Sequence, residues 1–177
     1  ETKGIAIGSA VIAAVSLFAS FIAVIAVGSE DKISQMTTEQ YLAAADAYLK
    51  GVERRIEAGL NPAINSVASL FISRWDAAVF DDVSPELRAK LGIAVGKQAY
   101  AAYRELIASD RVQGLANEGG RIQRLLMAST GTKDPEASDV LYIEALAAPN
   151  TVNTMPPAAL EAYADHGVTG APIPPDG

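Results

Sequence analysis

Hydrophobic positions along this chain fall into two regimes. From Gly4 to Gly28 the run GIAIGSAVIAAVSLFASFIAVIAVG carries no charge, and from Glu30 onward apolar and charged residues mix with changing period. At a helical rise of ~1.5 Å per residue the first run can cross a hydrocarbon core of about 30 Å. Residues 1–29 are therefore expected to form an apolar helix, transmembrane or buried, and residues 30–177 a separate α/β unit. Gly4 and Gly8 stand at the spacing that lets membrane helices approach closely. A signal peptide fits less well, because the run is long and only Lys3 precedes it as a base, while the start at Glu1 rather than Met suggests a piece of something larger. The competing reading is a buried strand-and-helix stretch of an α/β protein.

The remainder alternates between helical and extended periods, as strand-and-helix units do. Thr37 can cap a helix with Gln40 answering it, and Tyr41, Ala45, Tyr48, Leu49, Val52 and Ile56 keep a 3.6-residue period up to Gly59. INSVASLFIS, residues 64–73, is short, β-branched and apolar, which predicts a strand buried on both faces. Ser84-Pro85 places a cap and a first-turn proline ahead of Leu87, Leu91, Val95, Ala102 and Leu106, predicting a second long helix that Gly92 and Gly96 weaken. RLLMAS (124–129) predicts a second strand, residues 135–148 a third helix, NTVNT (150–154) a third strand, and Pro156-Pro157 the start of a fourth helix ending near Gly167. The tail GAPIPPDG is too rich in proline and glycine to be regular. Three consecutive units of this kind put parallel strands side by side. A closed eight-unit barrel takes about 250 residues, so these units can form only part of one.

Charge and composition narrow the chemistry. The net charge is −7 with scattered bases, which argues against a nucleic-acid surface held by phosphate contacts. There is no cysteine and one histidine, so neither a disulfide framework nor a metal cluster is expected. His166, next to Gly167 at a helix end, suits an interaction with the helix dipole, and Trp75 suits packing against an apolar shoulder.

In parallel α/β architectures ligands sit beyond the carboxyl ends of the strands. Ser69 lies within the first predicted strand and Arg74 just past its end, while Ser129 ends the second and Lys133 follows across the turn STGT. If those strands are neighbours, a guanidinium, an ammonium and two hydroxyls converge, the donor set that binds a phosphate ester. In the competing reading each cation is a loop residue paired with a nearby acid, Asp76 or Asp134. Asn153 could reach the same mouth or satisfy turn backbone.

Three stretches carry a resemblance: INSVASLFISRWDAAV (64–79), RLLMASTGTKDPEASDVLYIEAL (124–146) and APNTVNTMPPAALEAYADHG (148–167). They resemble the last three strand-and-helix units of transaldolase, especially the bacterial type also found fused to phosphoglucose isomerase, and the likeness runs over residues 37–177. It implies part of a TIM-type (β/α) barrel from a cytoplasmic enzyme of the pentose phosphate pathway. That enzyme moves a dihydroxyacetone unit between sugar phosphates through a lysine Schiff base, without a cofactor. Ser69 and Arg74 match its substrate-holding serine and arginine, and Lys133 matches its basic phosphate contact after the seventh strand, not its nucleophile. The nucleophilic lysine belongs to an earlier motif resembling F-I-K-I-P-A-T, followed by N-V-T-L-I-F-S. Neither motif is among these residues, nor are the catalytic aspartate and glutamate. No catalytic residue is thus assigned, and the isolated chain is expected to be inactive.

TKGIAIGSAVIAAVSLFASF, residues 2–21, is in turn similar to one transmembrane helix of the membrane-bound, ion-translocating pyrophosphatases. The acidic metal- and pyrophosphate-binding motifs of that family have no counterpart here, so no pump function follows. The alternative to a sugar-phosphate-binding polypeptide is therefore a membrane-anchored non-enzymatic remnant or chimera, touching the bilayer through residues 4–27. The junction between the two likenesses falls between Phe21 and Met36. An incomplete barrel would expose the flanks of its outer strands, so an oligomer or a complementing chain is expected.

Overall fold

Thr37 starts the first helix as its residue type predicts. Its side chain accepts the Gln40 N–H at 3.3 Å, and the Gln40 side chain takes the Thr37 N–H at 2.9 Å. The computed structural model describes residues 21–22 and 36–177. In chain order the elements are β1 (Phe21–Ile22), α1 (Thr38–Glu57), β2 (Ser66–Phe71), α2 (Ser73–Val79), a 3-10 turn (Pro85–Leu87) and α3 (Leu91–Ala108). They continue with α4 (Asp110–Asn117), β3 (Gln123–Ala128), α5 (Leu141–Ala145), β4 (Val152–Asn153) and α6 (Pro157–His166).

Among the described residues the sheet has four strands in the order β1-β2-β3-β4, every neighbouring pair parallel. The central pair runs in unbroken register from Ser66 opposite Gln123 to Phe71 opposite Ala128. Strands in sequence order, parallel and linked by helices, make a partial (β/α) barrel, as the pattern of periods predicts.

Side-chain alternation sorts the two faces of the sheet. Ala68, Leu70, Leu125 and Met127, with Ile72 beyond the end of β2, form one buried cluster with Tyr41 of α1, Ala99, Tyr100 and Tyr103 of α3, Tyr142, Leu146 and Ile173. Val67, Ser69 and Phe71 face the other way and are only half-buried, so β2 is closed on one face rather than on both. Ile173 shows that the irregular tail still contributes a core residue.

Several boundaries differ from the local reading, each for a non-local reason. The predicted strand over 64–73 stops at Phe71, and Ser73 begins α2. The long helix expected from Ser84-Pro85 is only a 3-10 turn there, and α3 begins at Leu91. The cap that starts α3 is Asp76, a side chain of α2: its carboxylate accepts the N–H groups of Leu91 at 2.9 Å and Gly92 at 3.0 Å. Gly92 is required by that contact, since a Cβ would lie 2.6 Å from the Asp76 Oδ2 and 2.7 Å from the Ile72 carbonyl oxygen. Ser109 then ends α3 and caps an unforeseen α4 through the Val112 N–H at 3.4 Å.

Only Leu141–Ala145 of the helix expected over 135–148 is α-helical. Asp134 and Ser138 accept the N–H groups of Glu136 and Val140 at 2.9 and 3.4 Å, side-chain bonds that compete with helix. The third strand shortens to Val152–Asn153, preceded by Asn150 at a φ of 62°.

Within the stretch expected to be an apolar helix, Phe21 and Ile22 form β1 and pair with Ser66 and Val67. The rest of residues 1–29, including the pyrophosphatase-like likeness and Gly4 and Gly8, lies outside the described residues. Among the described residues no helix is long and apolar enough to cross a membrane.

Candidate functional site

The carboxyl ends of β2 and β3 are bonded together beyond the strands themselves. The Ile72 N–H donates to the Ala128 carbonyl at 2.9 Å and the Ser73 N–H to the Ser129 carbonyl at 3.1 Å. Next to these, the Ser73 and Ser129 hydroxyls are 2.9 Å apart. A second bond spans β3 and β4, where the fully buried Thr130 hydroxyl donates to Asn153 Oδ1 at 2.7 Å. Asn153 thus fastens two strand ends through its side-chain oxygen.

Ser69 pairs in register with Leu126 and shares the half-open face with Phe71. Arg74 is not in a loop but in the first turn of α2, exposed, with its guanidinium carbon 4.2 Å from the centroid of the Phe71 ring. Because Phe71 and Ser69 are two residues apart on one strand, this stacking turns the cation toward Ser69's face of the sheet. Lys133 is exposed in the loop after β3, with no hydrogen bond or ion pair to any described residue. The segments bearing Arg74 and Lys133, a helix start and a loop, leave neighbouring parallel strands at the same edge.

The two acids weighed against these cations are engaged in local architecture. Asp76 is buried and accepts the Tyr142 hydroxyl at 2.7 Å besides the two α3 N–H groups. Burial, reinforced by Asp76, pushes the Tyr142 phenol well above its ordinary range and keeps it a hydrogen donor. Asp134 closes a turn on Glu136.

His166 ends α6 as expected, and it also spans two carboxylates: Nε2 is 2.9 Å from Asp139 and Nδ1 3.2 Å from Asp165. Hydrogen bonds to Asp139 first and Asp165 second hold its pKa above the usual histidine value. Trp75 is half-buried, and its buried indole nitrogen has no described partner. Among the described residues no group of three or more acids or histidines could hold a metal ion.

Ser73 and Thr130 went unnoticed in the sequence. Their only signal was position: each is a hydroxyl residue adjoining a candidate site residue at the end of an apolar run, where a polar side chain has to find a partner.

A parallel sheet in sequence order, its strands linked by helices, defines a (β/α)-barrel-type protein, a class in which ligands bind at the carboxyl edge of the strands. Residues 36–173 match the family model described as Transaldolase/Fructose-6-phosphate aldolase. The chain is 47% identical over 161 residues to a transaldolase of Mycolicibacterium smegmatis, covering 85% of this chain and 43% of that protein. It is 51% identical over 136 residues to one of Saccharopolyspora erythraea, covering 73% and 37%, and 49% identical over 141 residues to one of Thermobifida fusca, covering 75% and 38%. The chain belongs to the transaldolase/fructose-6-phosphate aldolase family. It spans about two fifths of the length of these relatives.

Proposed function

We propose that this chain is the sugar-phosphate-binding part of a transaldolase-type transferase, which moves a dihydroxyacetone unit between sugar phosphates in the pentose phosphate pathway of the cytoplasm. Ser69, Arg74 and Lys133 hold the substrate. The observation that carries the reading is the bonding of the β2 and β3 carboxyl ends through Ile72–Ala128 and Ser73–Ser129, from which both cation-bearing segments depart. The guanidinium offers a two-pronged donor, the ammonium a point charge, and the Ser69 and Ser129 hydroxyls further hydrogen bonds. The resemblance of residues 64–79 and 124–146 to transaldolase units supports the same roles for Ser69, Arg74 and Lys133.

Group transfer needs an amine activated by its pocket and carboxylates that relay protons. The motifs that supply them have no counterpart in these 177 residues. The chain binds without catalysing, and activity needs the rest of the barrel from a complementing segment or subunit; half-buried Val67 and Phe71 on the open face of β2 fit such a partner. Phosphate titration by calorimetry tests the binding. Arg74→Ala and Lys133→Ala should each weaken it about tenfold or more, the loss of one charge-assisted contact. Borohydride trapping with fructose 6-phosphate tests the rest: no covalent adduct is expected, and an adduct on Lys133 would make it the nucleophile and refute the assignment.

A further inference from the structure

Ser73 is fully buried, and its hydroxyl has one described side-chain partner, Ser129 Oγ at 2.9 Å. A buried hydroxyl that only accepted would leave its own hydrogen unsatisfied, at a penalty of about 1–3 kcal/mol. The favoured arrangement is therefore Ser73 donating and Ser129 accepting. Ser129 is only half-buried, and in that arrangement its own hydrogen remains available to a further acceptor.

The backbone at Ser129 adds a second observation. Its φ is 55°, in the left-handed region that non-glycine residues rarely adopt and that persists only where the surroundings hold it. Ties lie on both sides: the Ser73 N–H on the Ser129 carbonyl, and the Thr130 hydroxyl on Asn153. Ser73 contributes two of these contacts to Ser129, one from its backbone and one from its side chain. It also directly precedes Arg74, so one residue couples the two hydrogen-bonding groups that β2 and β3 bring to the mouth.

We infer that Ser73 is a positioning residue for anion binding: by donating to Ser129 Oγ it turns the Ser129 hydrogen toward an anion held between Arg74 and Lys133. The inference rests on the anion-site reading above. A residue that merely supports the fold would act independently of Ser129, whereas a positioning residue acts only while the Ser129 hydroxyl is there to be oriented.

A double-mutant cycle on the full chain separates the two, with inorganic phosphate as the probe followed by calorimetry and thermal unfolding recorded in parallel. Ser73→Ala should weaken phosphate binding about three- to tenfold, the scale of one neutral hydrogen bond, and should have no further effect in the Ser129→Ala background. Equal loss in both backgrounds, or no loss where the unsubstituted chain binds phosphate, overturns the inference. If Ser73→Ala does not fold, Ser73→Cys, nearly isosteric and a weaker donor, should give a smaller loss that again vanishes with Ser129→Ala; its persistence overturns the inference equally. Absence of phosphate binding by the unsubstituted chain overturns the anion site itself, and the role of Ser73 with it.

Discussion

Asp76 joins three elements through one carboxylate, and replacing it with alanine tests whether that junction holds the domain together. Asp76 is 7% exposed, and its carboxylate oxygens accept the Leu91 N–H, the Gly92 N–H and the Tyr142 hydroxyl at 2.9, 3.0 and 2.7 Å. Loss of a helix cap typically destabilises by about 0.5–2 kcal/mol. A buried phenol hydroxyl left without an acceptor adds about 1–3 kcal/mol. Asp76→Ala should therefore lose about 2–5 kcal/mol, a large share of the ~5–15 kcal/mol that holds an ordinary domain together. Urea unfolding followed by circular dichroism measures this, the midpoint falling while the slope stays unchanged. Tyr142→Phe, which removes one donor and leaves the cap, should lose only about 1.5–3 kcal/mol, the scale of one hydrogen bond to a carboxylate. An Asp76→Ala protein within 0.5 kcal/mol of the unsubstituted chain, the ordinary scatter of surface changes, would refute the reasoning.

Gly96→Ala should destabilise by about 1–3 kcal/mol despite alanine's better helix propensity, because its Cβ would sit 2.8 Å from Leu146 Cδ2 and 3.3 Å from Ile72 Cδ1. A rise in melting temperature would show that propensity outweighs packing there. For His166 the folded pKa is raised, so its pairing with Asp139 and Asp165 stabilises the fold fully below the unfolded value of about 6.5 and fades as pH rises through the folded pKa. Proton NMR titration of His166 checks the cause: Asp139→Asn should lower its midpoint, and an unchanged midpoint would remove Asp139 as the principal source.

The amino-acid order alone determined whatever depends on neighbours along the chain. The Thr37–Gln40 capping box, the buried stripe Tyr41, Ala45, Leu49 and Val52, the apolar cores of β2 and β3 and the proline start of α6 are all legible locally, because period and capping act within a few residues. The strand-helix order also implied a parallel sheet, and with it the edge on which Ser69, Arg74 and Lys133 deserved notice.

Only the tertiary structure decided what depends on residues far apart. α3 starts at Leu91 because Asp76 arrives from another helix, and Gly92 and Gly96 belong in that helix because Ile72 and Leu146 pack where a Cβ would be. Arg74 became a helical residue stacked on Phe71, and Ser73 and Thr130 emerged as the fastenings of the strand ends. Hydrogen bonds spanning 56 and 23 residues have no local signature, since either hydroxyl could equally well have bonded its own turn. Folding of the sheet selects the partner, and with it the geometry of the mouth.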